Sequence, residues 1–323
     1  MSLYSKLAEN QTLVKLVENY REKKKAKNKK KRVKGTYKFV NRKKDYNKMC
    51  IILAGYKPYL WDDIFERISK YIPKDIDVCI VSSGLYSEEL SEIAKKNDWS
   101  YLSVKQNKVS LVQNIAINLF DKAELIYKLD EDIFVTKNMF TKMLETYKEV
   151  ENNSTYRVGF VAPLLPINGY AHIKVLQKTG LLNAYEKKFG RAQYNWNPKG
   201  KVVINPDIAK FMWGETEEKL RDIDKLDDEF ARQNLKYSIC AIRFSIGAIL
   251  FSRELWENMG RFEVRMGNNM GLDEMQICNY VFADSRAIIV SENTIAGHFS
   301  YGPQNKVMKE FYKNNREIFK FKK

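Results

Sequence analysis

Three consecutive carboxylates, Asp130, Glu131 and Asp132, interrupt a mostly apolar stretch of the chain. The run before them, residues 125–129, is typical of a buried strand, so the acids lie at or just after its carboxyl end. In open α/β sheets, ligands bind at this end of the strands. Because three adjacent acids repel one another, we expect a positive group among them, and a divalent cation that holds a diphosphate is the simplest candidate. A solvated acidic turn is the alternative, because Asp-x-Asp also arises by chance.

A second pair of acids, Asp273 and Glu274, begins an amphipathic helix late in the chain. A positioned carboxylate of this kind could remove a proton from a substrate hydroxyl. The alternative is that both acids only complement the dipole at the start of the helix. Of the two histidines, His298 follows the last predicted strand and is either a metal ligand or a hydrogen-bonded loop residue, whereas His172 is interpreted as structural.

The elements that carry these residues alternate between strand and helix. Between residues 49 and 135, strand-like apolar runs are separated by stretches of helical spacing, and further strands are predicted at residues 158–163, 244–252 and 287–291. This order predicts an α/β fold with a mostly parallel, Rossmann-like sheet and helices on its faces. Neither G-x-G-x-x-G nor G-x-x-x-x-G-K-[ST] occurs, so a bound nucleotide would depend on a metal ion for much of its phosphate charge.

The net charge of the chain is +16, and it is concentrated near the N-terminus. Residues 1–48 contain 17 Lys/Arg and 4 Asp/Glu, a net charge of +13, which leaves +3 for residues 49–323. A basic nucleic-acid-binding protein is therefore a weak alternative, because the body has no basic face interleaved with aromatic residues. The helical apolar spacing of residues 1–20, next to the basic run 21–34, fits a peripheral anchor on an anionic membrane surface. A helix that packs on the body or on a partner subunit is the competing interpretation.

The cysteines Cys50, Cys79, Cys240 and Cys278 are far apart and form no C-x-x-C pair. We interpret them as buried, reduced thiols of a cytoplasmic protein, with neither a zinc site nor a disulfide framework. No run of about 18 apolar residues predicts a membrane span. The N-terminus also lacks the apolar segment of a signal peptide.

Four segments of the chain occur in an order that, taken together, matches the motif order of a known family. They are the strand and turn at 51–56, the segment from Gln106-Asn107-Lys108 to Gln113-Asn114-Ile115-Ala116, the triplet at 130–132, and Gly247-Ala248 followed by Phe262 and Asp273-Glu274. This order resembles the nucleotide-sugar glycosyltransferases of the GT-A fold, most closely glycosyltransferase family 2, over about residues 49–150 and 244–300. The sequence departs from the family at Ser82-Ser83, where many members have an Asp that helps to hold the base.

The resemblance implies a metal-dependent, inverting transfer of a sugar from a nucleotide sugar, with UDP favoured, to a hydroxyl of a glycan or lipid-linked acceptor. The product class would be surface polysaccharide or another glycoconjugate. Mn²⁺ or Mg²⁺ would be held by Asp132, with Asp130 and His298 as further ligands. The catalytic base would be Asp273, with Glu274 as the alternative. Residues expected at the nucleotide are Ala54, Tyr56, Ser83, Asn107, Asn114, Asp130 and Glu131.

The charge pattern and the resemblance together divide the chain into five parts. They are a basic N-terminal extension (1–48), a nucleotide-sugar-binding half (49–163), an acceptor-side insertion (164–243), an acceptor and catalytic-base half (244–302) and a basic C-terminal helix (303–323). A haloacid-dehalogenase-like phosphatase is a further alternative, because that family also places Asp-x-Asp after a strand. That family requires Thr or Val where this chain has Phe134, and it places its acids after the first strand of the fold, whereas here they follow about the fourth. Both differences argue against the phosphatase alternative.

Overall fold

The computed structural model describes residues 10–195, 197–265 and 271–321. Leu3 and Leu7, which belong to the predicted apolar spacing of the N-terminal segment, lie outside the described residues. Within them, the strands are β1 (Tyr37–Val40), β2 (Lys48–Leu53), β3 (Asp77–Ser83), β4 (Ser100–Val104), β5 (Leu125–Asp130), β6 (Ile133–Phe134), β7 (Arg157–Leu164), β8 (Tyr237–Cys240), β9 (Ala248–Ser252), β10 (Arg286–Ile295) and β11 (Gly297–His298).

The helices of the described residues lie mostly between these strands. They are α1 (Gln11–Lys31), α2 (Trp61–Tyr71), α3 (Glu88–Lys96), α4 (Val109–Leu119), α5 (Met139–Asn153), α6 (Ala171–Thr179), α7 (Leu182–Phe189), α8 (Lys201–Ile204), α9 (Pro206–Met212), α10 (Ile223–Ala231), α11 (Arg253–Asn258), α12 (Asp273–Ala283), α13 (Asn305–Asn314) and α14 (Arg316–Phe319).

A single large sheet has the strand order β1-β4-β3-β2-β5-β9-β7-β10-β8. The pairings give six of these strands a common direction, and only β1, β8 and β9 run the opposite way. The predicted α/β fold with a mostly parallel sheet is therefore confirmed. The strands β3 and β4 are buried along their whole length, and β2 and β5 are buried except at their end residues, as is typical of parallel sheets.

The reversed strand β9 decides which residues meet at the ligand-binding edge. Its antiparallel pairing with β5 sets Ala248 opposite Leu129. The beginning of β9 therefore lies at the edge where β5 ends. The backbone N–H of Asp130 donates a 2.8 Å hydrogen bond to the carbonyl of Gly247. Two segments that are far apart in sequence are brought together in this way.

The N-terminal segment is more ordered than its charge suggests. One helix, α1, continues through most of the basic run, and Asn10 caps its first turn. Arg32, just after the helix, donates to the carbonyls of Gly260 and Arg261 at 2.7 and 3.0 Å. The next strand, β1, pairs with β4 at the edge of the sheet. Residues assigned from the sequence to the extension thus form part of the sheet.

The segment 164–243 and the C-terminal helices are also joined to the sheet. Residues 173–189 lie in two helices, because Gly180 ends α6 in a left-handed conformation (φ +74°). The strand β8 pairs with β10 at the other sheet edge. Helices α13 and α14 bury an apolar face that includes Met308 and Phe319. In the described part of the chain, every helix is too short or too polar to cross a membrane.

Candidate active site

The acid triplet follows β5 as the sequence predicts, at the carboxyl end of a central strand. Glu131 is buried and uses its carboxylate inside the protein. It accepts hydrogen bonds from the backbone N–H groups of Gly55 and Tyr56, both at 2.9 Å, and from the indole N–H of Trp61 at 2.7 Å. The loop after β2 is therefore fixed to the triplet. Glu131 holds that loop and is not available to a nucleotide, which corrects its place among the expected nucleotide contacts.

The positive groups expected beside the triplet are two lysines of the chain itself. Lys128, which is 2% exposed, places Nζ 2.6 Å from Oδ1 of Asp130 and 2.7 Å from the carbonyl of Ile246. Lys57, from the loop that Glu131 holds, places Nζ 2.5 Å from Oδ2 of Asp132. Each outer acid of the triplet thus has its own ammonium partner.

Burial and these charges act on the protonation of the site. Burial raises the pKa of Asp130, against the effect of Lys128. Burial would also raise the pKa of Asp132, but Lys57 and His298 outweigh it, and the pKa is lowered. At Lys57, burial lowers the pKa and the attraction of Asp132 outweighs it, so the pKa is raised. Asp132 is therefore held as a carboxylate, the form that a cation ligand must have.

His298 lies beside Asp132, with Nε2 3.8 Å from Oδ2 of the carboxylate. Its Nδ1 is 2.8 Å from the carbonyl of Ile167, which can only accept, so the proton is assigned to Nδ1. Nε2 is the ring nitrogen that faces Asp132, and it carries a lone pair when the ring is neutral. Metal-binding histidines are commonly oriented by such a hydrogen bond from the second ring nitrogen.

The carboxylate of Asp132 and Nε2 of His298 could be the two protein ligands of a divalent cation that takes its other ligands from a substrate. Among the residues that the structure describes, no group of three or more His, Cys, Asp or Glu side chains could hold a metal. Mg²⁺ in phosphate-binding sites commonly has only one or two protein ligands and completes its shell with phosphate and water. Asp132 and His298 suit such a site, and Asp130 is engaged by Lys128.

The second acid pair lies at the same edge. Asp273 and Glu274 form the first turn of α12. The negative charge of Asp273 contributes to the raised pKa of Asp130, and the positive charge of Lys128 acts to lower the pKa of Glu274. The two acid pairs are therefore close enough to interact electrostatically. Glu274 is paired with Arg243 at 2.8 Å, and burial raises its pKa against the effect of that arginine. Asp273 instead accepts a 2.7 Å hydrogen bond from the amide of Gln113.

Three of the expected nucleotide contacts cluster at the ends of β2, β3 and β4. The hydroxyl of Tyr56 donates to the carbonyl of Ser83 at 2.7 Å and to Oδ1 of Asn107 at 3.0 Å. Oγ of Ser83 lies 3.2 Å from the same Asn107 oxygen. Ala54 is buried, and its N–H bonds the carbonyl of Val81 at 3.0 Å. Ala54 therefore supports this cluster through its backbone.

Asn114 does not belong to this cluster. Its amide is completely buried and donates to the carbonyls of Arg32 and Phe262 at 3.0 and 2.7 Å. Its oxygen accepts from the indole N–H of Trp256 and the backbone N–H of Phe262, both at 3.0 Å. The expected nucleotide contact is therefore wrong, because the side chain is used to join α4 to the end of α1 and to the segment after α11.

An apolar cavity of about 290 Å³ continues the edge beyond this cluster. It is lined by residues after β3 and β4 and by β1, namely Thr36, Tyr37, Lys38, Gly84, Leu85, Tyr86, Ser103, Val104 and Lys105. Gly84 has a positive φ of +81°, and a Cβ there would lie 2.6 Å from the Cβ of Asn107. The glycine thus lets the loops after β3 and β4 approach each other closely between the cavity and Asn107.

His172 is 2% exposed, and its Nδ1 is 2.7 Å from the carbonyl of Asn168. Burial lowers its pKa to about 4. These contacts agree with the structural role expected from the sequence.

Four residues that contact the candidate site were not predicted: Lys57, Lys128, Gln113 and Arg243. Lys128 had one visible signal, because a lysine inside a buried strand needs a charged partner. Gln113 and Lys57 had none beyond lying near expected contacts. Their partners, Asp273 and Asp132, are distant in sequence.

No protein-family model matches this chain, and no curated protein matches it. Among solved structures, a mannosyltransferase from Pyrobaculum calidifontis in complex with GDP-Man and Mn²⁺ is 12% identical, with a TM-score of 0.45. The comparison covers 90% of this chain and 66% of that one, just under two thirds of its length. The TarS 1–349 structure from S. aureus, in complex with UDP-GlcNAc, is 11% identical with a TM-score of 0.43, covering 84% of this chain and 65% of that one.

The glucosyl-3-phosphoglycerate synthase from Mycobacterium tuberculosis, in complex with Mn²⁺, UDP and glucosyl-3-phosphoglycerate, is 12% identical with a TM-score of 0.38. That comparison covers 82% of this chain and 76% of the synthase. All three structures hold a nucleotide or nucleotide sugar. At this identity we infer function from the site of the chain itself.

Proposed function

We propose that the protein is a metal-dependent, inverting glycosyltransferase that moves a sugar from a nucleotide sugar to a hydroxyl group of a glycan or lipid-linked acceptor. The observation that carries this proposal is that two pairs of residues lie at one edge of the sheet. Asp132 and His298 form a potential metal-binding pair, and Asp273 and Glu274 form a pair of acids. Glycosyl transfer needs both, because a diphosphate gains negative charge as it leaves and an acceptor hydroxyl must lose a proton.

The donor nucleotide would lie along the edge from β4 to β5. The edge crosses three strand spacings between these strands, about 14 Å. The cavity at Gly84 and Tyr86 would take the base, and Tyr56 with Asn107 would lie beside the ribose. The diphosphate would then reach Asp130 and Asp132. UDP is the favoured nucleotide.

At the diphosphate end, Asp132 and His298 would hold Mn²⁺ or Mg²⁺. Such a cation would take up the negative charge that develops on the leaving diphosphate. The chain's own part is to keep Asp132 ionised, to keep the lone pair of His298 facing it, and to fix the adjacent loop through Glu131.

At the acceptor end, Asp273 would take the proton from the attacking hydroxyl. The acceptor oxygen forms a bond to the anomeric carbon as the bond from that carbon to the diphosphate oxygen breaks. A single displacement of this kind inverts the configuration at the anomeric carbon. The Gln113 amide bonds Oδ2 of Asp273 and so orients the carboxylate, whereas Glu274 is engaged by Arg243. This difference favours Asp273 as the base.

The acceptor class we propose is a surface polysaccharide or glycoconjugate intermediate at an anionic membrane surface. Helix α1 supports this, because Leu13, Leu16, Val17 and Tyr20 are exposed on one face and a basic run follows them. Each Lys or Arg near an anionic surface contributes about 1 kcal/mol to binding. The protein would then act in the cytoplasm, at the inner face of the membrane.

The experiment is a thermal-shift panel of UDP, GDP and their sugar conjugates, with and without Mn²⁺, on the wild-type protein and on Asp132→Asn. We expect one nucleotide to raise Tm only with Mn²⁺, and we expect Asp132→Asn to lose that shift and to transfer sugar at least ~100-fold more slowly. If no nucleotide raises Tm in a metal-dependent way, the proposal is wrong. Hydrolysis of a generic phosphomonoester in the same preparation would favour the phosphatase alternative.

A further inference from the structure

Lys57 lies where a cation bound to Asp132 would lie. Its Nζ is 2.5 Å from Oδ2 of Asp132. This is the same oxygen that faces Nε2 of His298 at 3.8 Å. A divalent cation held by that oxygen and an ammonium at hydrogen-bond distance from it would repel each other at close range. The ammonium and a metal ion therefore compete for one carboxylate oxygen.

The two lysines of the site differ in how firmly they are held. Lys128 is 2% exposed and bonds both Asp130 and the carbonyl of Ile246. The ammonium of Lys57 has Asp132 as its hydrogen-bond partner among the described residues, and its side chain is 19% exposed. The backbone before it is held, because Gly55 and Tyr56 donate to Glu131. The backbone next to Lys57 is therefore held in place, whereas its flexible four-carbon side chain can rotate to move the ammonium.

Without Lys57, Asp132 would be a buried carboxylate that has lost its ammonium hydrogen-bond partner, although His298 and Lys128 would still act on its charge. A buried charge without a partner is strongly unfavourable. In the absence of substrate, the lysine thus satisfies the carboxylate. The same ammonium lies at the edge of the sheet along which the proposed diphosphate would lie, and an ammonium is a common phosphate partner.

We propose that Lys57 is an exchangeable counter-ion of Asp132, which leaves the carboxylate when a divalent cation binds there and pairs with the diphosphate of the donor. This inference rests on the proposed function, since it assigns a role within the same site. It makes metal and nucleotide binding cooperative. Metal alone must displace the lysine without compensation, whereas metal with a diphosphate gives the displaced ammonium a new partner. By linkage, each ligand strengthens the other by the same factor.

The test measures Mn²⁺ binding directly, from the EPR signal of free Mn²⁺, for the wild type, Lys57→Met and Lys57→Arg. Mn²⁺ is titrated alone, then with UDP or GDP present. We expect Lys57→Met to bind Mn²⁺ alone roughly tenfold more tightly, and we expect the gain that the nucleotide gives to shrink by about the same factor, which lies within the range of typical couplings. The gain that remains comes from direct contact between the metal and the diphosphate. Lys57→Arg keeps the charge and should bind Mn²⁺ alone as weakly as the wild type.

Lys96→Met is the matched control, because Lys96 is exposed at the end of α3, next to the start of β4 and away from the ligand edge. It removes the same charge and should leave both titrations unchanged. If Lys57→Met weakens folding, a Tm rise on adding Mn²⁺ that exceeds the wild-type rise reports the same competition. Equal Mn²⁺ affinity of Lys57→Met and wild type overturns the inference.

The two proposals fail separately in this experiment. If Lys57→Met binds Mn²⁺ more tightly but neither UDP nor GDP binds under any condition, the competition between lysine and metal stands and the glycosyltransferase proposal is wrong. If the nucleotides bind with Mn²⁺ but Lys57→Met has no effect on either titration, the glycosyltransferase proposal stands and the exchange is wrong.

Discussion

The side-chain amide of Gln113 donates a 2.7 Å hydrogen bond to Oδ2 of Asp273. Gln113 is completely buried in α4, and Asp273 begins α12, so the bond ties a core helix to the acid that we propose as the base. We expect Asp273→Asn to lower kcat by ~10²–10⁴-fold, as loss of a general base does. Metal-dependent nucleotide binding should remain nearly intact.

The variant Gln113→Met tests whether the amide of Gln113 orients the carboxylate of Asp273. It should lower kcat by roughly tenfold with little change in the donor KM, because the group it removes positions the base and does not touch the donor. Steady-state kinetics on both variants and on Glu274→Gln separates the roles. A larger kcat loss for Glu274→Gln than for Asp273→Asn would make Glu274 the base.

Asn114 should matter for stability and not for the donor. Asn114→Leu leaves the N–H groups of Trp256 and Phe262 without their acceptor, and each unsatisfied buried group costs about 1–3 kcal/mol. We expect the free energy of unfolding, measured by urea denaturation, to fall by roughly that amount or more. The donor KM of the folded fraction should be unchanged, and a selective rise in KM would return Asn114 to the nucleotide site.

His172 should make the protein less stable in mild acid. Its pKa is lowered from 6.5 to about 4 by burial, so the unfolded chain takes up this proton first as the pH falls. The free energy of unfolding therefore decreases from about pH 6.5 down to about pH 4 and then levels off. At pH 5 the loss from this residue is about 2 kcal/mol.

His172→Gln keeps a donor for the carbonyl of Asn168 and removes the titrating ring. Urea denaturation of both proteins at pH 7.5 and pH 5 isolates the effect, because other acid-sensitive groups act equally on both. The difference in stability between wild type and variant should shift by about 2 kcal/mol in favour of the variant on going to pH 5. An unchanged difference would show that folding does not lower the pKa of His172.

The exposed face of α1 should bind anionic lipid. We expect the protein to sediment with phosphatidylglycerol vesicles and much less with phosphatidylcholine vesicles, and to be released by salt. The double variant Leu16→Asp and Tyr20→Asp should lose this binding, because both side chains are exposed on the apolar face and support no core packing. If the wild type instead forms a dimer that the double variant dissolves, the face belongs to a subunit interface.

The central half of the fold could be predicted because each local pattern agrees with its neighbours. Residues 61–71, one of the stretches of helical spacing within the predicted alternation of residues 49–135, form α2. The apolar run before Asp130 indicated a buried strand, and β5 ends on that residue. These patterns suffice because a parallel sheet buried on both faces needs long apolar strands and amphipathic helices.

Two strands, β1 and β8, were not predicted, and both were missed for the same reason. The strands β1 and β8 have four residues each, lie at the edges of the sheet, and contain polar residues on exposed or half-buried positions. Their place is decided by pairing with β4 and β10, which no local pattern reveals.

The same limit applies to the site. The acids were found from their spacing, but which charge neutralises each acid depends on tertiary contacts such as that of Lys57 with Asp132. Asn114 was misassigned for the same reason. Its sequence context resembled a nucleotide contact, and its actual partners are distant in the chain.

The pairing of β1 with β4 has a practical consequence for any shortened form of the protein. Removal of residues 1–34 takes away the charged helix and leaves β1 in place over the edge of the sheet. Removal of residues 1–48 would also take away β1 and part of β2, and would leave β4, buried along its whole length, as an open edge. Bare apolar edges recruit strands from other molecules. The first truncation should therefore remain monodisperse at concentrations at which the second aggregates.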